Sequence, residues 1–215
     1  MKNATLRIAR HEIRQILREP KFLLPFLFPP VLLIVSQAVF LPSDIPEWML
    51  SRTMLFCALL IAPMMIPLAS DSFAGERERG SLELLLLLPV RPSSIFYGKL
   101  LALLPVPLFL VALAETVYAA ASGILVFSLW WKSVLAGFLA CVFFSGVSLF
   151  VSLSVKTARA ANQISLVFVF AFLPAFGALS DFYLENAWAP LLFLFLVIVA
   201  FFAMSTVSFR KFRKY

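Results

Sequence analysis

The sequence predicts an all-α integral membrane protein: six transmembrane helices preceded by an N-terminal amphipathic helix lying at the membrane interface. Three observations lead to that class. The 215 residues are 62% hydrophobic with a mean hydropathy of +0.99, whereas soluble domains are roughly 45–50% apolar. The apolar residues fall in runs of about 20, the length a bilayer core requires. The charges collect at the ends of those runs, where water and headgroups solvate them.

Residues 1–20 hold the amphipathic helix. Leu6, Ala9, Ile13, Ile16 and Leu17 recur at helical spacing, opposite a stripe of Arg7, His11, Arg14 and Arg18. A secretory signal has a short basic start and then an apolar core, and this segment is too long and too charged for one. Its arginines suit anionic lipid or a partner in the cytoplasmic headgroup layer. His11-Glu12 opens like a zinc-protease motif, but Arg14 and Gln15 follow and the chain has no second histidine.

The spans are predicted at about Phe22–Phe40, Thr53–Ser70, Tyr97–Phe127, Val134–Val155, Ile164–Leu179 and Trp188–Ser208. Pro25, Pro29, Pro30, Pro63 and Pro67 interrupt the first two. Neighbouring helices must satisfy the backbone groups those prolines free, which implies a packed bundle. With the N-terminus inside, 16 of the 18 Lys and Arg residues lie on the cytoplasmic side, and only Arg52 and Lys132 fall outside. Both termini are therefore expected in the cytoplasm and the chain in a cell (inner) membrane. Asn162 and Gln163, near the cytoplasmic end of the fifth span, suit hydrogen bonds between helices.

The charge of +7 follows this topology and is not arranged for nucleic acid. Cys57 and Cys141 lie far apart in apolar runs and read as small hydrophobic side chains. No catalytic or metal-ligating residue is assigned, and no cofactor is expected on this chain.

The segment Asp71–Lys99 stands apart as a cytoplasmic loop. It carries Glu76, Arg77, Glu78, Arg79 and Glu83, then Leu84 to Leu88, then Pro89 and Pro92. Charges this dense do not sit in hydrocarbon, and five consecutive leucines do not sit bare in water. Such a loop suits a docking subunit. Gly75 to Ser81 has the glycine spacing of a phosphate loop, but a serine stands where the lysine must be and two glutamates would repel phosphate. Gly80-Ser81 reads as a break and an N-cap before a short helix.

The run FAGERERGSLELLLLLPVRPSSIFYGKLLALL resembles the cytoplasmic loop of ABC-2 type permeases, the membrane subunits of one class of ABC transporters. The N-terminal helix and VSLSVKTARAANQIS fit the same pattern, so the resemblance covers essentially the whole chain, 1–215, as a single transmembrane domain. It implies a permease that couples ATP hydrolysis on a separate ATPase subunit, which holds ATP and Mg, to export. Glu76, Glu78, Gly80, Ser81, Leu82, Glu83 and Leu86 match the coupling segment. A homodimer or heterodimer of permeases among membrane lipid is implied, and the permease of cytochrome c maturation, which handles haem, is a close relative in size and loop motif. The short connection Ser180–Ala187 departs from the family, in which helices re-enter the membrane after the fifth span.

Two rival readings stand beside it. A membrane-embedded lipid-modifying enzyme would use Asp71, Glu76, Glu78 and Glu83 as a metal cluster, although the interleaved arginines neutralise such a site. A membrane anchor would have no transport role. Glu115 is the one acid deep in a span and must face the bundle. It reads equally as a pathway residue or as a structural hydrogen-bonding group.

Overall fold

The computed structural model of the chain describes residues 2–18, 20–40, 46–82, 90, 92–122, 127–186 and 188–212, and every element in them is helical. Helix α1 (Lys2–Arg18) leads into α2 (Pro20–Phe40). Helix α3 (Glu47–Ile61) passes through a single 3₁₀ turn (Ala62–Met65) into α4 (Ile66–Glu78). Pro63 and Pro67 stand near the starts of that turn and of α4. Each lacks an N–H, so the helix tightens there and continues. Then come α5 (Pro92–Leu103), α6 (Pro105–Ser122), α7 (Phe127–Ser154), α8 (Ala158–Ala178), the short α9 (Ser180–Glu185) and α10 (Ala189–Phe212).

Among the described residues, four stretches are long and apolar enough to cross a membrane: Glu47–Glu78, Ser93–Ser122, Phe127–Ser154 and Ala158–Ala178. Two shorter apolar helices, Leu27–Ser36 and Ala189–Ala200, occupy the positions predicted for the first and sixth spans. The second to fifth spans begin earlier than predicted and the second ends later, whereas the third ends at Ser122 rather than Phe127. Asp71 to Glu78, assigned by sequence to the loop, forms the last two turns of α4. At the other end of the predicted loop, residues 92–99 already belong to α5. A helix outlasts its hydrocarbon run when its last charges find partners, as those of α4 do.

Helix α7 is the centre of the bundle, packed against α3, α4, α6, α8 and α10. Its Gly137 allows the closest approach: a Cβ there would stand 2.6 Å from Val111 Cγ1 of α6 and 3.1 Å from Ala58 Cβ of α3. Small residues at such crossings let backbones meet where no hydrophobic force drives helices together.

A seam of serines holds α4, α7 and α8. Ser70 and Ser148 share a hydrogen bond of 2.9 Å, and Ser165 Oγ donates to Ser148 Oγ at 3.2 Å. The Ser152 hydroxyl enters the backbone of α4. It accepts from the Phe73 and Ala74 N–H groups at 3.1 and 2.8 Å and donates to the Ser70 carbonyl at 2.7 Å. Ser165 thus makes the interhelical bond expected of its neighbours. Asn162 Oδ1 is buried without a hydrogen-bond partner among the described residues, and Gln163 is exposed.

At the end of the bundle away from Glu78, α9 fastens the two cations that break the charge asymmetry. Arg52 Nε meets Asp181 Oδ1 at 2.8 Å and lies over the Trp48 ring. Lys132 Nζ donates to the Leu184 carbonyl, and the Tyr183 hydroxyl donates to the Lys132 carbonyl, at 2.7 and 2.8 Å. Burial raises the Tyr183 hydroxyl above its ordinary pKa. Two exceptions to the topology rule are thereby the clasps of the short connection.

Candidate functional site

The charged end of the bundle begins where α4 stops. Gly80 takes φ +70, the left-handed conformation that a glycine adopts without strain. Ser81 N–H donates to the Glu76 carbonyl at 2.9 Å and Gly80 N–H to the Arg77 carbonyl at 3.1 Å. Those two bonds form a Schellman cap. Ser81 Oγ turns back to the Glu76 carbonyl at 3.2 Å, and Leu82 is buried in the main core. Glu83 and Leu86, the remaining predicted coupling residues, lie outside the described residues.

Arg77 and Glu78 clamp the next helix connection from its two sides. The Arg77 guanidinium donates to the carbonyls of Val155 and, at 3.1 Å, Leu153, where α7 ends. Glu78 Oε1 accepts from the Ala158 N–H at 3.2 Å, where α8 begins. A cation at a helix C-terminus and an anion at an N-terminus both match the helix dipole. Thr157 caps the same N-terminus through the Ala160 N–H at 3.2 Å. Residues adjacent in sequence therefore grip two helix ends.

Lys99 is the buried centre of this end, 2% exposed. Its Nζ lies 2.8 Å from Glu12 Oε1 of α1 and 2.8 Å from Glu76 Oε1 of α4, and it sits over the Phe73 ring. Asp71 and Arg79 form a second pair at 3.2 Å. Next to Lys99, Gly98 is the notch that α1 crosses. A Cβ there would stand 2.8 Å from Ile8 Cγ2 and 3.1 Å from the Thr5 carbonyl oxygen.

Helix α1 accordingly turns relative to its predicted apolar face. Ile8, Ala9, Glu12 and Ile16 lie toward the bundle, while Leu6 and Leu17 are 63% and 60% exposed. The ion pair of Glu12 and the close passage of Ile8 over Gly98 decide the rotation. Amphipathic spacing alone misses it, because it counts Glu12 with the polar side. The Gly98-Lys99 pair was visible only as part of the loop resemblance.

Asp71, Glu76 and Glu78 are thus turned to three different partners rather than converging on one point. Glu115 stands elsewhere, fully buried in α6, with neither carboxylate oxygen hydrogen-bonded among the described residues. Ser133 of α7 and Met54 of α3 are also buried. Each lies one turn from the contact of Gly137 with Val111 and Ala58, at the level of Glu115.

The family model for ABC-2 family transporter proteins matches residues 6–186. The chain belongs to that family. It is an ABC-2 permease, the membrane subunit of an ABC transporter. No curated protein matches it significantly. The match includes α1 from Leu6 onward, the capped end of α4, the Gly98-Lys99 pair and Glu115, so both regions built above are parts of the permease domain.

Proposed function

We propose that this ABC-2 permease is a six-span subunit of an ABC exporter in a cell (inner) membrane. Both termini and the connection after Gly80 face the cytoplasm. It works as a homodimer or heterodimer with ATPase subunits beneath that bind ATP and Mg. The outer face of α8, where Val167 and Phe170 are 67% and 72% exposed, is one surface on which such a second permease would pack.

The observation that carries the coupling reading is the double grip of Arg77 and Glu78. An ATPase that moves the connection after Gly80 pulls on the end of α4. Through Arg77 and Glu78 the same pull reaches the end of α7 and the start of α8, and through Glu76 and Lys99 it reaches α5. The residues proposed to meet the ATPase directly are Glu83 and the leucines around Leu86, with Gly80 to Leu82 setting where the connection leaves the bundle. A few buried leucines, at roughly 25 cal/mol per Å2 of apolar area, give several kcal/mol before association costs are subtracted. Glu76 and Glu78 act from within the permease in this reading.

The test is the double variant Glu83→Arg with Leu86→Asp, followed by co-purification with the ATPase and its turnover in reconstituted vesicles. Loss of binding with the spans still folded is expected. A double variant that binds the ATPase and transports normally would move the docking site to the Lys156–Arg159 turn.

A further inference from the structure

Between α1, α4 and α5 lies a cavity of about 300 Å3. Its wall carries three carboxylates, Glu12, Asp71 and Glu76, against two cations, Lys99 and Arg79, with Gln15 beside them. The cations are paired within the wall, Lys99 with Glu12 and Glu76, Arg79 with Asp71. One negative charge is left over, and the Glu12 and Glu76 side chains keep 23% and 18% of their surface exposed. Such a wall favours a cation that brings N–H donors.

A second cavity of about 310 Å3 lies under α1, against Leu27 of α2 and Val106 and Phe109 of α6, and its lining is almost wholly apolar. Ile16 and Ala102 line both cavities. A charged chamber and a greasy groove that share a wall have the form of an amphiphile. We propose that together they bind one membrane lipid with a primary ammonium headgroup, its ammonium among the carboxylates and an acyl chain along the groove.

The charges select among lipids. The Arg79 side chain is 59% exposed, and its guanidinium has five N–H groups, so it can donate to the lipid phosphate while keeping its pair with Asp71. A quaternary ammonium has no N–H to give the carboxylates. An anionic headgroup meets the excess negative charge. The proposal needs the chain to lie in a membrane, and it does not depend on where the ATPase docks.

The full chain is reconstituted with equal parts of phosphatidylethanolamine, phosphatidylcholine and phosphatidylglycerol, extracted in mild detergent, and its retained lipid is counted by native mass spectrometry. Phosphatidylethanolamine is expected to exceed each of the others roughly tenfold, equivalent to about 1.4 kcal/mol. Gln15→Lys adds a cation to the chamber and is expected to shift retention toward phosphatidylglycerol. Leu17→Asp puts a charge in the groove and is expected to lower retention of all three. Both positions are exposed, so the fold tolerates either change. Equal retention of the three lipids by the unaltered chain, or a preference for phosphatidylglycerol, would overturn the proposal. So would a Gln15→Lys variant that keeps the original preference, or a Leu17→Asp variant that retains as much lipid as the unaltered chain. Co-purification of the ATPase from cells that express the same variants reports separately on the coupling reading.

Discussion

Replacing Lys99 by methionine removes the cation that joins three helices while keeping most of the side-chain volume. Lys99 is 2% exposed and its Nζ is 2.8 Å from each of two carboxylates, whose side chains are 23% and 18% exposed. Removing one partner of a fully buried pair costs about 3–5 kcal/mol, because the other charge is left without compensation. Water reaches both glutamates in part, which places the cost near the lower end, about 3 kcal/mol. Glu12 is carried by α1, so the penalty falls mainly on the seat of that helix. At 1.4 kcal/mol per decade, the population with α1 released rises on the order of a hundredfold. Arg10 and Arg14 are exposed on the seated helix, and trypsin needs the helix opened to cut at them. Cleavage rate in vesicles under brief digestion reads the released fraction. The triple variant Lys99→Met, Glu12→Gln, Glu76→Gln has no buried charge and is expected to recover most of the protection. Cleavage of the single variant at the unaltered rate would refute the reasoning, as would a triple variant cut as fast as the single one.

Glu115→Leu removes a buried carboxylate with no hydrogen-bond partner among the described residues, so thermal unfolding should show a gain of about 1–3 kcal/mol. If Glu115 serves the pathway, both this variant and Glu115→Gln lose transport while the complex stays assembled; a stable leucine variant that transports normally would make the residue structural. Ser152→Ala removes the hydroxyl that joins the Phe73 and Ala74 N–H groups and the Ser70 carbonyl to α7, a loss on the order of 1 kcal/mol, and an unchanged melting temperature would show that the hydroxyl adds nothing to the hold of α7 on α4. Single cysteines at Ser43, Ser81, Ser128 and Ser205, in a background without Cys57 and Cys141, report the topology through an impermeant thiol reagent. Ser81 is expected to label only after lysis, and labelling of Ser81 on intact cells with Ser43 silent would invert it.

Hydropathy made the helices legible, because a bilayer admits few other solutions for a chain this apolar. Gly80 was legible as a break for a similarly local reason: a glycine after a charged helical run invites the left-handed cap found there. The length of α4 was not legible, since the charges of Asp71 to Glu78 argue for a loop until Lys99, Arg79 and the ends of α7 and α8 are known to meet them. Lys99 is the general case. A lysine opening a span reads as one more interfacial cation, and only the fold shows two glutamates from distant segments beside it. The serine seam left a trace, because Ser148 and Ser152 stand one helical turn apart on α7. The positions of Ser70 and Ser165 opposite them carry no such signal. Arg52 and Lys132 looked like exceptions to a rule and proved to be anchors of α9.

The contact of α4 with α7 through hydroxyls bears on how the two helices move past each other. Interlocked leucines must climb out of their grooves before one helix slides along another. Hydroxyls are shorter, rotate about a single bond, and either Ser70 or Ser148 can be the donor in the bond they share. Ser152 already holds backbone groups of Ser70, Phe73 and Ala74 at once, so a small axial displacement exchanges one acceptor or donor for the next along α4. The seam therefore behaves as a bearing: it resists separation of the helices, since parted hydroxyls would be stranded in an apolar interior, yet opposes shear only weakly. Under the proposed coupling, force applied at the Glu78 end would meet two junctions in series: Arg77 ties the ends of α4 and α7 together, and any glide along the seam would be confined to the part of α4 beyond that tie.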